Sequence, residues 1–81
     1  MVNRTDLKNA VLGALKRVAP ETDPAAIPSK APLRDELDID SMDFLKFLLL
    51  LKESTGIEVP ESDADSLSTI DGAVEYLAGR A

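Results

Sequence analysis

A single serine lies within a run of carboxylates in the segment 34–43, which reads RDELDIDSMD. The serine is Ser41, and the acidic residues around it are Asp35, Glu36, Asp38, Asp40 and Asp43. A short polar residue just before a run of apolar positions often begins a helix, because its side chain caps a free backbone amide. The simplest interpretation is that Asp40 or Ser41 caps a helix and has no further role.

The alternating acidic residues also suggest a calcium loop, but the spacing excludes the common type. Counted from Asp38, the sixth position is Asp43, where such a loop needs glycine, and the twelfth is Leu49, where it needs glutamate. The spacing does not exclude a weak and nonspecific site for divalent cations. We therefore predict no specific metal site.

The composition excludes most enzyme chemistry. The 81 residues include no histidine and no cysteine. The chain thus lacks the commonest general base, the commonest transition-metal ligand and any thiol nucleophile. We predict no catalytic residue and no enzymatic activity, and any thiol chemistry would have to come from an added group.

Charge is distributed unevenly along the chain. Residues 1–34 carry a formal charge of +3 and residues 35–81 a charge of −9, which gives the net −6. A surface of this sign repels nucleic acid and attracts basic patches on other proteins. The N-terminus lacks the apolar segment of a signal peptide, and no apolar run is long enough to span a membrane. We expect a monomeric, cytoplasmic protein with no nucleic acid partner.

Helical periodicity predicts an all-α fold: a small bundle of three main helices plus one short helix, forming one domain over residues 1–81. The expected helices cover residues about 6–19, 41–55, 62–67 and 70–78. Capping and breaking residues set these bounds, with Thr5, Asp40 and Thr69 at helix starts and Gly56 and Gly79 at helix ends. The long loop between helices 1 and 2, residues 20–40, contains four prolines, so we expect no regular helix there.

The second predicted helix carries apolar residues on most of its surface. At about 100° per residue, Leu50 falls among polar residues, with Met42 and Leu49 at the margin of that polar arc. The opposite side is expected to face the core and carries Phe44, Leu45, Phe47, Leu48 and Leu51. This pattern predicts an exposed Leu50 and a core-facing Leu45.

The triplet Asp40-Ser41-Met42 resembles the Asp-Ser-Leu sequence that marks the acyl carrier protein family at the start of its second helix. The segment GIEVPESDADSLSTIDGAVEYL, from Gly56 to Leu77, is similar to the stretch of that family that leads through a short third helix into the fourth. The proline-rich first loop and the chain length also agree. The resemblance covers about residues 5 to 78.

This resemblance implies a prosthetic group. In the family, a phosphopantetheinyl transferase joins 4'-phosphopantetheine from coenzyme A to the motif serine, which is Ser41 here, with Asp40 beside it in the cofactor-binding motif. The terminal thiol then carries acyl groups as thioesters for fatty-acid, lipid or polyketide enzymes. A helix start suits a phosphodiester, because its free amides and dipole favour an anion.

The resemblance further implies that the second helix meets acyl-transfer, ligase or synthase enzymes that have basic docking patches. The expected partner-binding residues are Asp35, Glu36, Asp38, Met42, Asp43, Leu49 and Leu50. Family members also fold the acyl chain between helices. The expected lining residues are Leu45, Leu48, Ile57, Leu67, Ile70 and Ala73. Ordinary core packing explains the apolar character of these residues better than an acyl-chain pocket does.

The sequence departs from the family pattern at several positions. Asp38 stands where the family usually has glycine, and Met42 replaces leucine. Lys46 and Lys52 lie on a helix that is normally rich in glutamate, so we infer a specialised carrier. Two alternatives stay open: an aminoacyl or peptidyl carrier domain, and an acidic helical interaction module without a prosthetic group.

Overall fold

The first helix, α1, spans Arg4–Val18 in a computed structural model that describes residues 3–80. Its buried stripe consists of Leu7, Val11, Ala14 and Leu15. The helix begins earlier than predicted, because the Asn3 side chain accepts a 2.8 Å hydrogen bond from the Asp6 amide and so caps the first turn. The cap predicted at Thr5 is therefore wrong, since Thr5 already lies inside the helix.

The connection after α1 is more ordered than predicted. It contains a turn of 3-10 helix at Pro24–Ala26 and a short α-helix, α2, at Leu33–Leu37. The prediction of no regular helix in residues 20–40 is wrong at α2. Pro32 stands just before this helix, where the missing proline amide breaks no helical hydrogen bond.

Two hydrogen bonds tie this connection to a distant part of the chain. The Leu33 amide donates to the Ser68 carbonyl at 2.8 Å, and the Asp71 amide donates to the Ser29 carbonyl at 2.9 Å. Leu33 is also fully buried. The connection is thus held by the core and by the segment that precedes and begins the last helix.

The turn after α2 leads directly into the second long helix. Asp38 adopts the left-handed conformation, with φ 51° and ψ 45°, and its amide donates to the carbonyl of Arg34. The following helix, α3, spans Ser41–Thr55 and ends at Gly56, which is also left-handed with φ 74°. These bounds of α3 match the predicted ones, and Gly56 ends the helix as expected.

Helix α3 buries a different flank from the one predicted. The buried residues are Phe44, Phe47, Leu48, Leu50 and Leu51. Leu50 is only 7% exposed and Leu45 is 40% exposed, so the predictions of an exposed Leu50 and a core-facing Leu45 are wrong. A leucine borders the core stripe on each side, and the bundle covers Leu50 although its neighbours around the helix are polar.

The chain then forms a 3-10 helix at Glu61–Leu67 and a last helix, α4, at Ile70–Arg80. Thr69 caps α4 as predicted, because its hydroxyl accepts a 2.9 Å hydrogen bond from the Gly72 amide. The predicted stop at Gly79 is wrong, since α4 continues to Arg80. A single glycine disfavours helix by only about 1 kcal/mol, which neighbouring turns can offset.

Helices α3 and α4 and the Glu61–Leu67 3-10 helix enclose an apolar core together with α1, which packs against both α3 and α4. Arg4 and Glu75 form an ion pair between α1 and α4. Over residues 3–80 the structure contains helices and no strand, which confirms the predicted all-α class. In the same range, none of the helices combines the length and apolar character needed to cross a membrane.

Candidate functional site

Ser41 is the first residue of α3, and it is exposed to solvent. Leu37 and Phe44 are buried on either side of it, so the hydroxyl stands at a fixed place where the short helix α2 turns into α3. A reactive group of another molecule can therefore reach the Ser41 oxygen without opening the core.

The guanidinium of Arg34 contacts the Ser41 hydroxyl. Its Nη2 donates a 3.1 Å hydrogen bond to Ser41 Oγ across the turn between α2 and α3. The backbone of Arg34 is held at the same time, because its carbonyl accepts hydrogen bonds from the Asp38 and Ile39 amides. Sequence analysis missed this residue. Its signal was its position as the one basic side chain between residues 31 and 45.

The charges around Ser41 make this arrangement unusual. Five carboxylates lie within a few residues of Arg34, yet within residues 3–80 no carboxylate oxygen lies within 4.0 Å of its guanidinium. The hydrogen bond that Arg34 makes goes instead to a neutral hydroxyl. Its positive charge thus faces the serine oxygen.

Asp40 performs the capping role predicted for it. Its carboxylate accepts a 2.9 Å hydrogen bond from the Asp43 amide, and its carbonyl accepts one from the Phe44 amide. The Ser41 and Met42 amides, which belong to the first turn, have no acceptor within the helix by the geometry of an α-helix. Because Asp40 is turned towards its own helix, the Ser41 oxygen remains accessible.

The predicted partner-binding residues fall into two groups. Asp35, Glu36 and Asp38 are exposed on α2 and at its end, and Asp43 is half-buried in the first turn of α3. Met42 is 78% exposed and Leu49 is 56% exposed. Leu50 does not join them, because its side chain is packed in the core.

Most of the predicted acyl-chain residues belong to the core. Leu48, Leu67, Ile70 and Ala73 are buried in one apolar cluster, and Ile57 is half-buried against it. Leu45 lies outside that cluster and is partly exposed, which is the reverse of the expectation that it lines the interior.

The described residues fit a covalently attached phosphodiester. An exposed hydroxyl supplies the point of attachment, and the guanidinium in contact with it supplies a cation suited to phosphate oxygens. The first-turn amides and the helix dipole favour an anion at the same place. Asp40 and Asp43 oppose it by charge repulsion, which Arg34 offsets.

Comparisons with known proteins agree with this description of the site. The family model for the phosphopantetheine attachment site matches residues 6–77. The chain is 33% identical over 57 residues to an acyl carrier protein of Lactobacillus acidophilus, covering 70% of this chain and 71% of that protein. It is 31% identical over 55 residues to an acyl carrier protein of Rubrobacter xylanophilus, covering 68% of each chain.

A longer match is to the mitochondrial acyl carrier protein 2 of Arabidopsis thaliana, with 30% identity over 77 residues. That match covers 95% of this chain and 60% of the Arabidopsis protein. Because a family model spans most of the chain and bacterial relatives match over two thirds of their length, the chain belongs to the acyl carrier protein family, whose members carry phosphopantetheine and are carriers rather than enzymes.

Proposed function

We propose that this protein carries acyl intermediates as thioesters on a 4'-phosphopantetheine arm attached to Ser41 Oγ. The observation that carries the proposal is the exposed hydroxyl at the first residue of α3, directly after the capping residue Asp40. Ser41 is the serine of the Asp-Ser-Met triplet, and it lies inside the segment that the phosphopantetheine family matches.

Attachment needs a separate transferase and coenzyme A. The Ser41 oxygen forms a bond to the phosphorus that carries the pantetheine chain, the pyrophosphate bond of coenzyme A breaks, and the adenosine bisphosphate leaves. We assign the hydroxyl proton to a general base on the transferase. When bound, the arm supplies the thiol that this cysteine-free chain lacks.

Intact mass measurement tests the attachment site. The protein is incubated with coenzyme A and a broad-specificity phosphopantetheinyl transferase, in parallel with Ser41→Ala and Ser54→Ala. Ser54 is an exposed serine at the other end of the same helix, so it is a matched control. We expect the wild type and Ser54→Ala to gain one phosphopantetheinyl group and Ser41→Ala to gain none.

An unmodified wild type, with a transferase shown to be active on another carrier, would leave the acidic interaction module as the better interpretation. Modification of Ser41→Ala would instead place the arm on a different serine. Loading the modified protein with acyl and aminoacyl ligases then separates an acyl cargo from an aminoacyl or peptidyl one.

We also propose a docking surface beside the arm. Met42 and Leu49 expose apolar surface on α3, and Asp35, Glu36 and Asp38 supply negative charge near it. Charged residues of this kind steer basic partners, and exposed apolar residues add contact area once the partner has docked. The partners are acyl-transfer, ligase or synthase enzymes with basic patches, together with the transferase.

An acyl chain would occupy the apolar space between α3, α4 and the Glu61–Leu67 3-10 helix, where Leu48, Leu67, Ile70 and Ala73 are packed. These residues already fill the core, so the chain can enter only if the 3-10 helix or α4 shifts. Chemical shift changes at these four residues between holo and acylated protein test this. Changes confined to the surface of α3 would contradict it.

The basic residues of α3 favour a specialised carrier. Lys46 and Lys52 are both exposed on the helix that would meet the partner, so its negative surface is interrupted after Asp43. Elongation by a general fatty-acid ketosynthase is the test. We expect slower elongation on this protein than on that enzyme's usual carrier, and equal rates would contradict the specialisation.

A further inference from the structure

We propose that Arg34 is a positioning residue for the prosthetic group: its guanidinium holds the phosphodiester attached to Ser41 and so limits the directions in which the arm leaves the protein. This inference rests on the proposed attachment at Ser41. It adds a residue outside the Asp-Ser-Met triplet, on a different helix, to the attachment site.

The first support is the contact itself. Arg34 Nη2 lies 3.1 Å from Ser41 Oγ, and the phosphorus of the attached group would be bonded to that same oxygen. The phosphate oxygens would then lie one bond further on. The guanidinium already contacts the atom that becomes the phosphoester oxygen, so only a small side-chain movement is needed to reach them.

The second support is the absence of a competing partner. No carboxylate of residues 3–80 forms an ion pair with Arg34, although Asp35, Glu36 and Asp38 lie close in sequence. A phosphodiester is a stronger acceptor than the neutral hydroxyl that Arg34 now contacts, and arginine binds phosphate oxygens through paired N–H groups. Attachment of the arm would therefore strengthen an existing contact.

The third support is the way the backbone of Arg34 is fixed. Leu33 anchors one end of α2, because its side chain is buried and its backbone amide donates a hydrogen bond to the Ser68 carbonyl. At the other end, Asp38 and Ile39 both donate to the Arg34 carbonyl. The arginine backbone is thus held by the fold, and the freedom that remains is in the side chain.

The fourth support is electrostatic. Asp40 and Asp43 stand beside Ser41, and both would repel the negative phosphodiester. Arg34 is the one basic residue between positions 31 and 45. Its guanidinium contacts Ser41 Oγ, so it is placed to balance the added charge.

The test compares holo proteins that carry the arm on wild type, Arg34→Gln, Arg34→Lys and Lys52→Gln. Lys52→Gln also removes one positive charge, but from a position on α3 about 16 Å from Ser41. It therefore controls for the change in net charge alone. Arg34 is exposed, so Arg34→Gln is expected to fold, and circular dichroism checks this.

Two readouts are independent of any enzyme. The 15N resonances of the Arg34 guanidinium are followed from apo to holo wild type, and the 31P transverse relaxation rate of the phosphodiester is measured in all four holo proteins. We expect the guanidinium resonances to shift on attachment. We also expect the 31P relaxation rate to fall in Arg34→Gln, to fall less in Arg34→Lys and to stay unchanged in Lys52→Gln.

Removing the guanidinium in Arg34→Gln should lower the population of the held orientation of the phosphodiester by a factor of about two to five, the range that exposed charge pairs give. Unchanged guanidinium resonances together with equal 31P relaxation in wild type and Arg34→Gln would overturn the role of Arg34, while the mass gain at Ser41 would still support the carrier function. A wild type that gains no mass at Ser41 would overturn both proposals.

Discussion

The hydroxyl of Tyr76 donates a 2.6 Å hydrogen bond to Asp63 Oδ2, and this bond joins α4 to the Glu61–Leu67 3-10 helix. Arg80 completes the group, with Nη2 3.2 Å from the same carboxylate oxygen and Cζ 4.7 Å from the centre of the tyrosine ring. The hydrogen bond to Asp63, followed by desolvation, raises the pKa of Tyr76 above its ordinary value of 10.0, while the charge of Arg80 lowers it.

The first prediction concerns the titration of this tyrosine, which is the chain's only one. The absorbance of the tyrosinate, followed against pH, should give a midpoint above 10.0 in the wild type. Asp63→Ala should lower the midpoint towards the ordinary value, because the acceptor is lost. Arg80→Gln should raise it further, because a cation that favours the tyrosinate is removed. Shifts in the same direction for both variants would contradict this arrangement.

The same bond predicts a pH dependence of stability. Because folding raises the pKa of Tyr76, the protonated phenol is favoured in the folded state. The stabilisation is complete below the unfolded pKa of about 10 and is lost as the pH rises through the folded pKa. Urea unfolding of wild type and Tyr76→Phe at several pH values checks this, and the difference between them should shrink at alkaline pH. A difference that grows with pH would contradict it.

The second prediction concerns the left-handed residue Asp38. Its φ of 51° disfavours a side chain, so Asp38→Gly should stabilise the protein by about 0.5–1 kcal/mol. Glu36→Gly is the control, since Glu36 lies inside α2 in ordinary helical conformation. That change should destabilise the protein by about 1 kcal/mol. Urea unfolding midpoints should therefore move in opposite directions, and a loss of stability in both variants would count against strain at Asp38.

The third prediction concerns the close approach of the chain at Gly72. A Cβ atom there would lie 2.6 Å from the Ser66 carbonyl oxygen and 3.0 Å from Thr69 Oγ1. Gly72→Ala should therefore destabilise the protein by roughly 1–3 kcal/mol, because backbone must move. Gly13→Ala, where a Cβ meets nothing within 4 Å, should instead stabilise α1 by about 0.5–1 kcal/mol. Thermal unfolding measures both, and a tolerated Gly72→Ala would contradict the tight contact.

The fourth prediction separates the two neighbouring leucines of α3. Leu50 is 7% exposed, so Leu50→Ala should destabilise the protein by about 2–4 kcal/mol. Leu49 is 56% exposed, and Leu49→Ala should change stability by less than about 0.5 kcal/mol. If Leu49 also belongs to the docking surface, Leu49→Ala should raise the KM of the transferase for this carrier. Equal stability losses in the two variants would contradict the observed orientation of α3.

Local signals in the sequence correctly predicted three of the five helix ends that were assigned to named residues. Asp40, Gly56 and Thr69 work through their own side chain or backbone conformation, so they can be recognised without tertiary information. The helix cap predicted at Thr5 is wrong because Asn3, two residues earlier, caps α1 instead. The helix α2 could have been suspected from Pro32 followed by acidic residues in a first turn, although its shortness leaves little periodicity to detect.

The orientation of α3 could not be predicted in the same way. At about 100° per residue, Leu50 lies about 60° from Phe47 on one flank of the core stripe, and Leu45 lies about 60° from Leu48 on the other. Each flank carries a leucine next to the core stripe, so packing against the rest of the bundle decides which leucine is covered. The contact between Arg34 and Ser41 depends likewise on the turn at Asp38. The left-handed conformation of that turn cannot be predicted from the presence of an aspartate in the sequence.

Two long-range backbone hydrogen bonds join the connection between α1 and α3 to the segment where α4 begins. One runs from the Leu33 amide to the Ser68 carbonyl and the other from the Asp71 amide to the Ser29 carbonyl. During synthesis that segment emerges long after Ser41, so the serine can be exposed to the solvent before α2 has anything to anchor it. A fragment that ends before Ser68 would keep the Asp-Ser-Met triplet and lose the anchor that sets Arg34 against it. The environment of the hydroxyl is therefore completed only after residues 68–71 have been made.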